Sequence, residues 1–510
     1  MNKYFTTPIY YVNGDPHLGH AHSTVMADIF KRSNVLLGND VFFSTGVDEH
    51  GQKNQKIAES LGLQPKVFLD NQADKFISLF KRLNISNDFF ARTSQDYHKN
   101  VVKKILQKLN DEGKIYKKEY SGLYCEGCEQ FKTQADLDEH GNCKDHQKPP
   151  ILMKETNYFF KMSEYQQWLI DFLKSHEDFI VPTSYRIELL NLLKDPLPDL
   201  CISRPKDRVS LGIELPFDTD YVTYVWFDAL INYLTNIGYM QENDQTDKYW
   251  PSVTHIMAKD IVKTHCIYWP TMLKAMGLEP PKKCLVHGYW VGEDGLKMSK
   301  SLGNGINPYE AIDLVGVDGF RFLLARLINK NEAKIGLNIL KQNYNSELAN
   351  VIGNSYYRVI TFAKKTFNSI IPVVNPDSIN EEESAFIEKV YSMYNNALPK
   401  GDDLEEITDL AKTVTAIGKE INLFFDKMAP WKLLKEEKLS DVKRILICCL
   451  EAIRMMLEIS IPLMPQTAVE SLKILGFNVD INKKLDIQKF KYVGGEEILQ
   501  PTPLFKRIVD

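Results

Sequence analysis

The sequence predicts an α/β protein whose parallel sheet is split by an insertion and followed by an all-α helix bundle, and three observations carry that reading. Strand-like and helix-like stretches alternate over residues 1–115 and again around 222–258, the pattern of a parallel sheet with crossover helices. Residues 120–150 interrupt it with a concentration of Gly, Cys, His and charge. From about Leu337 to Leu475 strand signals vanish and apolar residues recur at helical spacing.

Tyr4-Phe5-Thr6-Thr7 reads as the first strand, and the turn Asn13-Gly14-Asp15-Pro16 leads from it into a helix from about His17 to Leu37. Asp40 to Thr45 is the next strand, followed by helices near Lys53 to Leu61 and Pro65 to Leu83. Tyr120 to Pro150 is too irregular for the sheet and needs another source of stability. Regularity resumes near Tyr158, with a helix around Glu164 to Lys174, and Val222 to Leu234 with His255-Ile256-Met257-Ala258 restores the alternation. The expected division is therefore two sheet halves, 1–115 and 221–290, around an insertion at 116–220, then a stem-contact region at 291–345 that carries the Lys297–Ser301 loop, and a helical part at 346–510. In the latter, Leu348, Ile352, Tyr356, Val359 and Ala363 form one apolar stripe, and Val442, Ile445, Leu446, Cys449, Ile453, Met456 and Leu457 another. Lys483 to Asp510, with Pro501 and Pro503, reads as a tail that packs back on the body.

A chain of 510 residues exceeds one compact core, and a hydrophobic fraction of 44% permits several. With a formal net charge of -5, contact with an acidic polymer has to rest on local basic patches rather than on a bulk positive field. No apolar run reaches bilayer-spanning length, so no membrane contact is expected. Met1-Asn2-Lys3 runs straight into a strand, which leaves no room for a leader, and a cytoplasmic location is expected. Of eight cysteines, Cys125, Cys128 and Cys143 cluster while the others sit in apolar surroundings, which suits reduced thiols.

Cys125-x2-Cys128 and Cys143-x2-His146, fourteen residues apart, make a four-ligand set at structural zinc spacing, with Gly127 and Gly141 permitting the turns. One Zn²⁺ per chain is expected, with no open coordination position; His140 is the alternative to His146. The surrounding stretch lacks the apolar content to fold without such a staple.

Two basic motifs far apart in the chain carry the chemistry. Pro16-His17-Leu18-Gly19-His20 opens the first helix, where backbone amides and the imidazoles of His17 and His20 face the crevice above the sheet, and Gly19 lets a nucleotide approach the backbone. Lys297-Met298-Ser299-Lys300-Ser301 lies between Gly292-Glu293-Asp294-Gly295 and Gly303-Asn304-Gly305, the composition of a loop able to close over a ligand. Trp226, Ala229, Leu230 and Tyr233 fall at i, i+3, i+4 and i+7, a spacing that a buried core stripe shares.

This pair of motifs resembles that of the class I aminoacyl-tRNA synthetases. Pro8-Ile9-Tyr10-Tyr11-Val12-Asn13-Gly14 and Tyr224-Val225-Trp226-Phe227-Asp228 resemble the methionyl-tRNA synthetase family within that class. The resemblance implies a Rossmann-like catalytic domain, a zinc-binding insertion and a helical anticodon-binding domain. It further implies ATP with Mg²⁺ at Gly19, His287, Gly288 and Lys300, transition-state contacts from His17, His20, Lys297 and Lys300, and activation of L-methionine before transfer to tRNA(Met). Methionine is expected among Ile9, Tyr11, Trp226, Ala229, Leu230, Tyr233, Ile261 and His265, with Asp48 as counter-charge to its ammonium group; Leu230 and Thr264 depart from the commoner family pattern. A thioether accepts only weak hydrogen bonds, so shape and aromatic contact must select it. Asn354, Arg358 and Trp431 resemble anticodon-reading residues, although Trp431 equally suits a helix-packing anchor. No further dimerisation module follows the bundle, so a monomer is expected. Two competitors are a related ligase for isoleucine, leucine, valine or cysteine, and a catalytically dead tRNA-binding protein. The short insertion lacks room for the editing domain expected of the first three, the self-ligated zinc set differs from the substrate-contacting zinc of the cysteine enzymes, and the intact phosphate motifs argue against a dead protein.

Overall fold

The computed structural model describes residues 1–127, 130–132, 134–144, 147–296, 305–328 and 332–509. Its first part contains β1 (Asn2–Tyr11), α1 (Leu18–Leu36), β2 (Asp40–Asp48), α2 (Gln52–Ser60), α3 (Pro65–Arg82), β3 (Phe89–Arg92) and α4 (Asp96–Asp111). After β4 (Ile115–Cys125), β5 (Gln130–Lys132) and β6 (Ile151–Phe160) come α5 (Gln166–Ser175), β7 (Ile180–Val181) and α6 (Thr183–Leu192). Four short strands follow, β8 (Leu200–Cys201), β9 (Ser203–Pro205), β10 (Glu214–Leu215) and β11 (Asp218–Thr223). Then come α7 (Val225–Thr235), α8 (Thr246–Tyr249), β12 (Val253–Ala258), α9 (Trp269–Met276), β13 (Lys283–His287) and β14 (Trp290–Val291).

Six strands form one parallel sheet in the order β3-β2-β1-β12-β13-β7. Strands are added on one side of β1 up to β3 and on the other side afterwards, so the crevice between β1 and β12 is the switch point where such sheets take ligands at their carboxyl ends. β1 is central because its residues Tyr4 and Phe5 are buried and belong to cores on opposite faces. Pro8 lacks a backbone donor, and the register between β1 and β2 shifts between Thr6 and Ile9 to accommodate it. β7 lies inside the stretch 116–220 expected as insertion, yet Ile180 and Val181 pair with Cys284 and Leu285 and complete the sheet.

The expected irregularity of Tyr120 to Pro150 is corrected at its start, where β4 runs on to Cys125, and regularity resumes at Ile151 rather than near Tyr158. β4 and β6 form a long antiparallel ribbon running from Ile115↔Phe160 to Tyr124↔Ile151. Much of this ribbon is solvated, so lysines and glutamates hide the strand alternation that a half-buried sheet displays.

Beyond β14 lie α10 (Pro308–Val315), α11 (Val317–Leu327), β15 (Ala333–Lys334), α12 (Leu337–Asn343), α13 (Asn354–Thr366), α14 (Glu381–Asn395), α15 (Glu405–Met428), α16 (Pro430–Lys435), α17 (Leu439–Ser460) and α18 (Pro465–Ile474). From Ile447 to Ser460 every residue of α17 is buried, which makes it the axis of the bundle against α14, α15, α16 and α18. Residues Tyr344–Gly353, expected to continue a regular α-helix from Ser346, are wound as a π-helix before α13. The tail does pack back on the body: Tyr492 and Ile498 are fully buried, and the Leu485 amide donates to the Leu36 carbonyl at 2.7 Å. No helix among the described residues is long and apolar enough to cross a membrane.

α1 fastens this bundle to the sheet. Asp28 accepts from Arg32 and Arg321 at 2.7 Å each, and Arg321, fully buried, also donates to the carbonyls of Leu83, Pro462 and Leu463. Burial alone would push the Asp28 carboxyl up, but these two guanidiniums hold it well below the usual carboxylate range. Lower on α1, Asn34 donates to the carbonyls of Pro399 and Lys400, where Gly401, at φ +93°, leaves no room for a Cβ against the Phe5 ring.

Candidate active site

The crevice is built from the ends of four strands and the start of one helix. Tyr11 ends β1 and is paired in register with Asp48 at the end of β2, while Ala258 and His287 end β12 and β13. α1 begins beside them with a cap made of two histidines. The Gly19 amide donates to His17 Nδ1 at 3.1 Å and the His17 amide to His20 Nδ1 at 3.2 Å, and the rings stack with centroids 3.6 Å apart. Because Nδ1 of each ring accepts, the proton of each neutral imidazole sits on Nε2, which makes both histidines donors at that atom. A Cβ on Gly19 would stand 3.1 Å from the His17 ring, so glycine here leaves room for the imidazole itself. His287 is buried, with Ser23 Oγ of α1 at 2.8 Å from Nε2 and the Gly288 carbonyl at 2.9 Å from Nδ1, and burial pulls its pKa down to about 4. Lys297 and Lys300 lie outside the described residues; Gly292 and Leu296, joined by a 2.9 Å backbone hydrogen bond, stand just before them.

The stripe on α7 lies in an apolar cluster that is the candidate side-chain chamber. Ala229, Leu230 and Tyr233 are buried and Trp226 is half-buried. Trp226, Tyr11 and Ile261 pack on the same cluster as Leu230 and Tyr233, and Ile9 precedes Tyr11 by two residues on the same face of β1. His265 sits in a π-helical turn, Thr264–Tyr268, a winding that re-aims a side chain relative to a regular helix. Its Nδ1 donates to the Ile261 carbonyl at 3.0 Å, so Nε2 must accept, and Tyr233 Oη donates to it at 2.7 Å. Burial pulls the His265 pKa down to about 4, and burial with His265 nearby pulls His255 well below its ordinary value. The chamber therefore ends on a neutral, mutually satisfied tyrosine–histidine pair. Asp48 is 4% exposed, with the His50 amide 3.4 Å from its Oδ1.

In the bundle Arg358 and Trp431 meet at Phe425, while Asn354 is tied to Asn422 on the same helix, α15. The Arg358 guanidinium lies 5.6 Å from that ring and ion-pairs with Asp426 at 2.7 Å, and Trp431 packs edge-on at 5.6 Å. Asn354 Nδ2 donates to Asn422 Oδ1 at 3.3 Å. Ala429, at φ +41°, turns the chain so that Pro430 and Trp431 open α16.

The sequence profile described as "tRNA synthetases class I (M)" matches residues 3–148 and 134–360, and that described as "Anticodon binding domain of methionyl tRNA ligase" matches 373–510. Methionine–tRNA ligases of Clostridium tetani and Fusobacterium nucleatum are 40% and 38% identical, over 100% and 99% of this chain and 79% and 80% of theirs. The enzyme of Rickettsia conorii is 36% identical over 99% of both chains. The chain belongs to the methionyl-tRNA synthetases of class I. Among solved structures, a Mycobacterium tuberculosis methionyl-tRNA synthetase in complex with methionyl-adenylate superposes with a TM-score of 0.91 at 29% identity, covering 99% of this chain and 100% of that one.

As a methionyl-tRNA synthetase the chain carries its metal candidates in the insertion. Cys125 and Cys143 are buried; Cys128 and His146 lie outside the described residues. Cys125 pairs with Gln130 across the β4–β5 hairpin, and the Cys143 amide donates to the Lys148 carbonyl at 2.9 Å. Two buried thiols are of the donor type a structural Zn²⁺ takes. His140, the alternative ligand, is exposed and lies 3.6 Å from Glu139. The described residues alone contain no group of three potential ligands.

Reading from the sequence misses several buried polar groups here. His22, on α1, is buried between His287 and Trp290, with burial and His287 pulling its pKa well down. Arg204 lies over the rings of Tyr124 and Tyr224, joining the ribbon to the start of α7. Asp228, fully buried, meets His50. Charge inside an otherwise apolar run, as in Val225-Trp226-Phe227-Asp228-Ala229-Leu230, is the available signal for the last.

Proposed function

We propose that the chain is a methionine–tRNA ligase that activates L-methionine with ATP and charges tRNA(Met), and that the residues gathered in the crevice divide that work as follows. His17 and His20, donating from Nε2 at the N-terminus of α1, and Lys297 and Lys300 hold the triphosphate with its Mg²⁺. The methionine carboxylate attacks the α-phosphorus, pyrophosphate leaves, and no side chain need serve as general base. Gly19, His287 and Gly288 border the nucleoside. Asp48 balances the ammonium group. The terminal adenosine then attacks the adenylate carbonyl through its 2′-hydroxyl and releases AMP.

The observation that carries this reading is the Tyr233–His265 pair at 2.7 Å beside the apolar cluster that holds Tyr233, Leu230 and Trp226. With Tyr233's proton committed to His265, the chamber offers a thioether shape and polarisable contact and offers a hydroxyl or amide side chain no strong donor. Amino-acid-dependent pyrophosphate exchange with methionine, isoleucine, leucine, valine and cysteine tests it; exchange driven best by any of the other four defeats it.

Asn354, Arg358 and Trp431 are the anticodon contacts in this reading, with Trp431 as stacking plane. Cys125, Cys128, Cys143 and His146 hold one structural Zn²⁺ that staples the insertion 116–220 without entering the chemistry. Elemental analysis should find one zinc per chain, lost in Cys125→Ser. Catalytic halves at 1–115 and 221–290 completed by β7 from within the insertion, a stem-contact region at 291–345 that carries the lysine loop, a helical anticodon domain at 346–510, a monomeric state and a cytoplasmic location complete the proposal.

A further inference from the structure

The two halves of the methionine site stand on different elements. The side-chain chamber is on α7 and the following π-helical turn, whereas Asp48 ends β2, and the loop Glu49–Gly51 leads on to α2. Asp228 belongs to α7 but points away from the chamber, being two residues and about 200° from Trp226 at the helical repeat. There its Oδ2 meets His50 Nδ1 at 3.1 Å, with Asp228 fully buried and His50 4% exposed. The same His50 places its amide 3.4 Å from Asp48 Oδ1. Asn54 Nδ2 holds the loop from its other side through the Asp48 and His50 carbonyls, at 3.3 and 3.2 Å.

We propose that His50 and Asp228 are a positioning pair for the amino acid, tying the ammonium-site loop to the helix that carries the side-chain chamber and so fixing the distance between the two halves of the bound methionine. The inference rests on the reading of Asp48 as the ammonium partner. Its physical basis is that a hydrogen bond in a dry site is directional, and that a bifunctional ligand gains from both contacts only when their spacing is preset. α7 itself does not depend on the pair. It is held further along by Tyr233 to His265, by Thr235 Oγ1 to His98 Nδ1 at 3.0 Å, and by Asn236 to Ser44 Oγ at 3.1 Å. Loosening the pair should therefore free the loop and leave the chamber intact.

The test compares methionine with 4-(methylthio)butanoate, which has the thioether and carboxylate but no ammonium group, in pyrophosphate exchange by the full-length chain. Asp228→Asn should raise the methionine KM by about tenfold to a hundredfold, while the inhibition constant of the ammonium-free analogue and the KM for ATP stay within about twofold. Asp48→Asn should show the same discrimination, and the double variant should add little to either. Equal losses for methionine and analogue in Asp228→Asn, an unchanged methionine KM, or full multiplication of the two single effects would overturn the inference while leaving Asp48 in place. Failure of Asp48→Asn itself to separate the two ligands would remove the ammonium reading and the inference with it. His50→Gln, read in the same way, decides the matter if Asp228→Asn does not fold.

Discussion

The proposed methionine chamber on α7 and the proposed anticodon end of the bundle are both lined by aromatic and polar residues, yet they are built on opposite terms. In the chamber the polar atoms are spent on one another: Tyr233 on His265, His265 on the Ile261 carbonyl, and His255 Nδ1 on Thr6 Oγ1 at 2.7 Å, with Trp269 Nε1 donating to the other His255 nitrogen. At the bundle's end the polar groups are solvated and held by exchangeable partners, with the Arg358 side chain 37% and the Asp426 side chain 56% exposed. A small apolar substrate has little to offer in hydrogen bonds, so its site must be finished before it arrives. An unstacked base brings its own donors and acceptors, and its site needs side chains that can let go of each other.

Several expected outcomes break or sharpen this contrast. The largest belongs to neither region but to the cap they both serve: His20→Ala removes a donor to developing phosphate charge and should lower the exchange rate by roughly 10²- to 10³-fold, with little change in methionine KM. Arg358→Ala should reduce charging of tRNA(Met) by about 10- to 100-fold in kcat/KM and leave pyrophosphate exchange within about twofold. A parallel fall in exchange would mean that the bundle's end is part of the fold of the crevice and not a separate recognition surface.

Acid should separate the regions by stability. His265 and His287 have folded pKa values lowered to about 4 by burial, against an ordinary value near 6.5. The unfolded chain therefore binds more protons between these values. Stability is complete above about pH 6.5 and is lost as pH falls toward 4, by an amount on the order of 3 kcal/mol per histidine. Thermal melts between pH 7 and pH 5 should show the sheet domain losing stability, and His265→Gln should flatten part of that slope.

What could be read from the chain was what lies close together in it. The histidine motif, the lysine motif and the α7 stripe are each contiguous or helically periodic, so their residue types and spacing declare them. α1 was legible to within a residue at each end because Asn13-Gly14-Asp15-Pro16 and Gly38 punctuate it. The contacts that hold the site in place are different in kind. Asp228 is 178 residues from His50, and Arg321 is 293 from Asp28; nothing in either neighbourhood names its partner. The winding of Thr264–Tyr268 and Tyr344–Gly353 as π-helix was equally hidden, because one extra residue per turn is set by what the side chains meet across the fold. β4 and β6 escaped notice since a solvated ribbon does not need an apolar face.

The claim on which the rest depends is that the α7 chamber reads the methionine side chain, and Trp226→Ala in pyrophosphate exchange tests it most directly. The account predicts a methionine KM raised by about tenfold or more, the loss of one aromatic wall, with the KM for ATP within about twofold. A methionine KM that does not move, or an equal rise for ATP, would contradict it.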